Sequence, residues 1–118
     1  EQPALAGLKH LNRLEQVLAR TALQRESARS AQEALLCTSA GLVICGTMTN
    51  VFAVEGHTLL TPALDRAGVA GIMRSVILRE AARLGLRTAE TGLPREWVAA
   101  AGELFLCNAR IGVWPVRS

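Results

Sequence analysis

One amine in this chain could condense with a carbonyl. Lys9 is the only lysine, and the other twelve basic side chains are arginine. A guanidinium stays protonated at any working pH and cannot form an imine. Amine-carbonyl chemistry through a side chain would therefore fall to Lys9, within Gly7-Leu8-Lys9-His10-Leu11-Asn12-Arg13-Leu14. A lone lysine just ahead of an amphipathic stretch also reads as a solvated surface residue. Two segments could take an anion. Gly68-Val69-Ala70-Gly71-Ile72-Met73-Arg74 opens a helix with two glycines, where free amides attract phosphate and a missing side chain lets it approach. The spacing is neither a Walker nor a Rossmann fingerprint, and a flexible helix entry is the plain alternative. Asn108-Ala109 follows a strand and offers amides with a side-chain donor, or satisfies its own loop. Gly46-Thr47-Met48-Thr49-Asn50 gathers two hydroxyls and an amide that could line a polar pocket or shape a turn. His10 and His57 lack a partner pattern and read as surface or supporting residues, and Asp65 as a local turn acceptor. No Ser-His-Asp or Cys-His arrangement is present.

These residues need elements to position them. Residues 1–9 read as an extended entry. Leu11, Leu14, Leu18 and Ala22 recur at helical spacing and predict a helix from Leu11 to Arg25 with one apolar stripe. Ser27 to Gln32 reads as a loop and Glu33 to Thr38 as a strand with a buried run at Ala34, Leu35 and Leu36. Strands follow at Leu42 to Cys45, Asn50 to Val54 and Thr58 to Leu60, the last two joined by a turn at Glu55-Gly56-His57. A second helix spans Gly71 to Leu84, with Met73, Ile77, Ala81 and Leu84 inward, Arg74, Arg79 and Arg83 outward, and Gly85 as its cap. A short helix at Pro94 to Ala101 and strands at Glu103 to Cys107 and Val113 to Val116 complete an α+β pattern of antiparallel hairpins with helices set apart.

A chain of 118 residues, half of them hydrophobic, suffices for one domain with a core. With two Phe, two Trp and no Tyr, that core is mostly aliphatic. The net charge of +3 comes from scattered arginines without a basic block or interleaved aromatics, which argues against a nucleic-acid partner and suits small anions. No apolar run approaches the ~20 residues of a membrane span, and nothing reads as a signal peptide. Cys37, Cys45 and Cys107 form no CxxC pair, so no disulfide framework and no metal site are indicated, and reduced thiols in a cytoplasmic protein are expected. The start at Glu1-Gln2-Pro3 suggests a fragment or processed product.

Four segments, in order, resemble the fold-type IV pyridoxal-phosphate enzymes, the class IV aminotransferase family. Leu8-Lys9-His10-Leu11-Asn12-Arg13-Leu14 looks like the Schiff-base lysine segment. Gly46-Thr47-Met48-Thr49-Asn50-Val51-Phe52 resembles the block after the pyridine-facing position. Thr61-Pro62 through Gly71-Ile72-Met73-Arg74 resembles the phosphate-cradling turn and helix. Cys107-Asn108-Ala109 with Gly112-Val113-Trp114-Pro115-Val116 looks like the last active-site strand. Within the family the likeness is strongest to the aminodeoxychorismate lyases, which have arginine where branched-chain aminotransferases have tyrosine; here it is Arg13. The resemblance implies an α+β fold, the C-terminal domain of the D-amino-acid-aminotransferase type, with an antiparallel-rich sheet or barrel flanked by helices. Residues 1–118 would be that single domain, with the family's N-terminal domain absent. It implies pyridoxal 5'-phosphate as cofactor and Lys9 as the catalytic, imine-forming lysine. Cys45, Thr49, Asn50, Gly71, Ile72, Met73, Asn108 and Ala109 would bind the cofactor. It also implies a small substrate, aminodeoxychorismate, split into pyruvate and 4-aminobenzoate for folate synthesis, and a homodimer or companion chain. Cys45 departs from the family's glutamate at the ring-facing position. A thiol is only a weak donor, which disfavours an amino-acid aminotransferase more than a lyase and leaves room for a non-catalytic interaction module. The missing half would leave an apolar face uncovered.

Overall fold

The computed structural model describes residues 3–25 and 31–117. The expected loop at Ser27 to Gln32 lies mostly outside them. Within the entry, Pro3–Leu5 forms a single 3-10 turn rather than extended chain. The first helix, α1, is Leu14–Arg25. Three strands follow, β1 (Leu35–Cys37), β2 (Leu42–Gly46) and β3 (Asn50–Glu55). Next come β4 (Thr58–Pro62) and the helix α2 (Ile72–Arg83). Strands β5 (Arg87–Thr91) and β6 (Leu93–Pro94) lead into the short helix α3 (Arg95–Ala100), and β7 (Glu103–Asn108) and β8 (Gly112–Pro115) end the chain.

The strands make two sheets, β1-β2-β6 and β5-β4-β3-β7-β8. Among the described residues neither sheet closes on itself, so the barrel alternative gives way to two open sheets. The cause is local. After Gly46 the chain turns sharply, with the Gly46 N–H donating to Thr49 O at 2.8 Å, and this turn sends β2 and β3 into different sheets. One pairing is parallel, β4 with β5, and α2 makes the crossover between them. The other strand pairings are antiparallel, as the antiparallel-rich expectation has it.

Strand β3 is the centre. Val51, Phe52 and Ala53 are fully buried, because successive side chains point to opposite faces of a sheet that is covered on both sides. Val51 joins Val43, Leu93, Val98 and Leu106 between the two sheets and α3. Phe52 joins Leu59, Ala81 and Cys107 beneath α2, with Met73, Ile77 and Leu78 packed against them. Phe52 also stacks on Phe105, centroids 5.1 Å apart. This pins β3 and β7 in a register that sets Asn50 opposite Cys107, so both strands deliver polar ends to one edge.

Three placements differ from expectation. Arg74 is buried, because its Nη2 donates to Pro62 O at 3.1 Å and pairs with Glu90 on β5. Leu84, expected inward, is 77% exposed past the end of α2. Leu35 lies exposed on the edge strand β1 instead of in a buried run. The apolar stripe of α1 exists, but no residue of that helix is buried, and Leu11 just ahead of it is 98% exposed.

Candidate active site

A cleft of about 770 Å³ opens between the entry segment, the β2–β3 turn and the start of α2. The entry contributes Lys9, His10 and Arg13 to its wall. Their position is set by main chain, since Gly7 forms a parallel bridge with Val69. The Gly7 N–H donates to Gly68 O and the Ala70 N–H to Gly7 O, each at 2.9 Å. Lys9, two residues on, is exposed to solvent inside the cleft. His10 is half-buried and its Nδ1 is a buried ring nitrogen with no hydrogen-bond partner.

On the facing side, α2 begins. The Ser75 N–H to Gly71 O bond is the first of the helix, so the amides of Ile72, Met73 and Arg74 lie ahead of its ladder. Gly71 is required there by close approach: a Cβ at this position would overlap Asn50 Oδ1. Asn50 in turn donates from Nδ2 to Val69 O at 2.8 Å, fastening the loop before α2 to the first residue of β3. Asn108, at the end of β7, donates to Met48 O at 3.1 Å, while its Oδ1 accepts from the amides of Arg110 and Ile111.

The floor is the β2–β3 turn. Cys45, Thr49 and Asn50 are buried and line the cleft. Burial, reinforced by the nearby charge of Glu33 and opposed by Arg13, pushes the Cys45 thiol up to about 11. It is therefore a neutral thiol at neutral pH. The backbone of Thr47 is held from both sides, its N–H donating to Glu33 Oε1 at 3.1 Å and its carbonyl accepting from Arg13 Nη2 at 2.8 Å.

Of the residues singled out in the sequence, Lys9, Cys45, Thr49, Asn50, Gly71, Ile72, Asn108 and Ala109 all border this one cleft. Met73 does not; its side chain packs under α2 with Phe52, leaving only its amide near the helix mouth. Glu33 was missed. Its side chain is 5% exposed and its carboxylate is bound by the turn. An acid followed by Ala-Leu-Leu reads as the solvated start of a strand, and nothing local signals partners fourteen and sixteen residues away.

The donor set suits a phosphorylated aldehyde: one amine, unpaired amides at a helix start, and a side chain amide nearby. All 118 residues, 1–118, match the family described as amino-transferase class IV. The chain belongs to that family. Among class IV relatives, an aminodeoxychorismate lyase of Vibrio harveyi is 36% identical over 98% of this chain and 41% of its own length. A crystal structure of 4-amino-4-deoxychorismate lyase from Pseudomonas aeruginosa superposes with a TM-score of 0.87 and 44% identity, over 99% of this chain and 42% of that one. The branched-chain amino acid aminotransferase of Escherichia coli is similar too, with a TM-score of 0.82 and 30% identity over 91% of this chain and 34% of that one. The chain thus spans about two fifths of the length of the first of these relatives. Likeness to both lyases and aminotransferases establishes the α+β class IV fold but does not separate the two activities.

Proposed function

We propose that residues 1–118 form the C-terminal, cofactor-holding domain of a pyridoxal 5'-phosphate-dependent 4-amino-4-deoxychorismate lyase. The observation that carries this is the cleft itself, where the only lysine and the mouth of α2 are tied together through the Gly7–Val69 bridge. The 36% and 44% identities to lyases support the choice of substrate. Bound there, the cofactor supplies an aldehyde for amines and an electron sink for the bond that breaks. The chain supplies the rest. The amides of Ile72 and Met73, with Asn108 and Ala109, would hold the phosphate, favoured by the positive end of α2. Cys45 would stand at the ring-facing position as an uncharged thiol, with Thr49, Asn50 and Gly71 shaping the wall beside it. Lys9 would bind the cofactor and, once released, take and return a proton at Nζ. The products are pyruvate and 4-aminobenzoate, a step of folate synthesis. The N-terminal half of the fold would complete the substrate pocket and cover the exposed apolar face of α1, and a homodimer in the cytoplasm fits the family.

The test is an absorbance spectrum with cofactor added to the protein with its N-terminal half in place, alongside borohydride trapping. A cofactor band, a reductively trapped adduct on Lys9, and loss of both in Lys9→Ala are expected. Pyruvate release should fall by about 10²–10⁴-fold in that variant. An unchanged band in Lys9→Ala rules the role out. The second reading, a branched-chain or D-amino-acid aminotransferase, draws on the 33% identity to a putative branched-chain aminotransferase of Methanocaldococcus jannaschii. It predicts keto-acid-dependent amino transfer in place of pyruvate release. A third, a non-catalytic homologue, draws on Cys45 and predicts neither band nor adduct.

A further inference from the structure

Glu33 stands just ahead of the edge strand β1, yet its carboxylate is turned inward and is almost completely buried, with a 5% exposed side chain. Oε1 accepts from the amides of Ala34 and Thr47, at 3.0 and 3.1 Å, and from the Thr47 hydroxyl. Oε2 accepts from the Thr49 hydroxyl at 3.2 Å. Among the described residues its cation partner is Arg20, half-exposed and 4.0 Å away. A carboxylate taken out of water is costly unless hydrogen bonds replace its hydration. It is kept here by four hydrogen bonds, three of which come from one turn. Gly46 has no side chain to spare for this reason: a Cβ there would overlap Thr49 Oγ1 and lie 2.9 Å from Glu33 Oε2.

We propose that Glu33 is the positioning residue of this cleft: by gripping Thr47 and Thr49 it sets the 46–49 turn, and with it the direction in which Cys45, Thr49 and Asn50 face the cavity. Arg13 completes the grip from the opposite side through Thr47 O, so the segment carrying Lys9 and the floor of the cleft are joined through one residue. The inference goes beyond the lyase reading and rests on it only for what the cleft holds.

The experiment reads the Cys45 thiol and uses no cofactor, so its failure and the failure of the cofactor reading are separate results. Burial acts most strongly on that thiol, followed by the charged and titratable groups Glu33, Arg13, Glu15 and Cys37. Site-resolved iodoacetamide labelling is followed against pH, with Cys37 as the exposed control and Cys107 as the buried reporter of an intact core. In Glu33→Gln the amide can still accept from Thr47, but the charge is gone. The Cys45 midpoint should move part of the way down from about 11, because burial, the larger cause, stays, and labelling at pH 8 should rise about threefold as the thiolate fraction grows. In Glu33→Ala the turn loses its anchor, and Cys45 should label faster at every pH while Cys107 stays closed. Should Cys107 open in that variant, Thr47→Val, which removes one partner and leaves the carboxylate, takes its place with the same expectation for Cys45. A Glu33→Gln profile that superimposes on the parent's, or a turn variant with an intact core and Cys45 no more reactive than before, overturns the proposal.

Discussion

At the scale of single residues, tight approach explains which positions tolerate change. Gly71 leaves no room for a methyl group beside Asn50. Gly71→Ala should therefore push Asn50 off Val69 O, lose a buried hydrogen bond and lower stability by about 1–3 kcal/mol, read by urea unfolding. The cysteines give a pH prediction. Burial holds the thiols of Cys45 and Cys107 up at about 11, while an unfolded chain ionises them near 9. Between those values the unfolded state has lost protons that the folded state keeps, so stability falls as pH rises through that window and is unaffected below it. Denaturation midpoints should drop from pH 9 to 11, and Cys45→Ala should flatten the fall. Glu33 and Arg74 are the residues of this scale that escaped sequence reasoning. Each is a charged side chain that pattern alone assigns to solvent, and each is buried by partners that only the fold brings close, Thr47 and Thr49 for the one and Glu90 with Pro62 for the other.

At the scale of elements, strand β3 bears the most. Phe52 is fully buried between α2 and β7 and stacks on Phe105. Phe52→Ala should cost about 3–5 kcal/mol, measured by thermal or chemical unfolding, and should loosen Asn50 with it. Most elements were legible. The 3.6-residue recurrence marks both long helices, Gly85 ends α2 with the left-handed φ of +77° its position called for, and turn residues separate β3 from β4. Strand β5 was not legible, because Arg87-Thr88-Ala89-Glu90-Thr91 carries no apolar alternation. It is an edge strand with only Ala89 half-buried, and it pairs with β4 through a crossover rather than a hairpin. The polar character that hid it also suits an edge, since charge discourages further pairing. For the candidate site, the segments could be picked out one by one. Their convergence depends on a bridge and on side-chain bonds between residues far apart in sequence.

At the scale of the whole molecule, one side is unlike the rest. Leu14, Val17 and Leu18 on α1, and Leu8 and Leu11 just ahead of it, are all more than half exposed. This is an apolar surface of the kind that other chains or domains cover. The isolated chain should associate in a concentration-dependent way. Leu14→Glu with Leu18→Glu should shift it toward monomer in analytical ultracentrifugation without changing the unfolding midpoint, since neither side chain belongs to the core. Within the molecule, by contrast, the most direct tie between the amine and the helix mouth is main chain, from Gly7 to Gly68 and Ala70. Side-chain exchange at Lys9 or Val69 leaves such a tie in place, whereas at Gly7 and Gly68, whose φ angles are +79° and +96°, any side chain strains it. A change of length is different. One residue inserted between Gly7 and Lys9 would slide the amine by about 3.3–3.6 Å along the chain, out of reach of whatever the helix holds, while leaving every hydrophobic contact of the interior untouched.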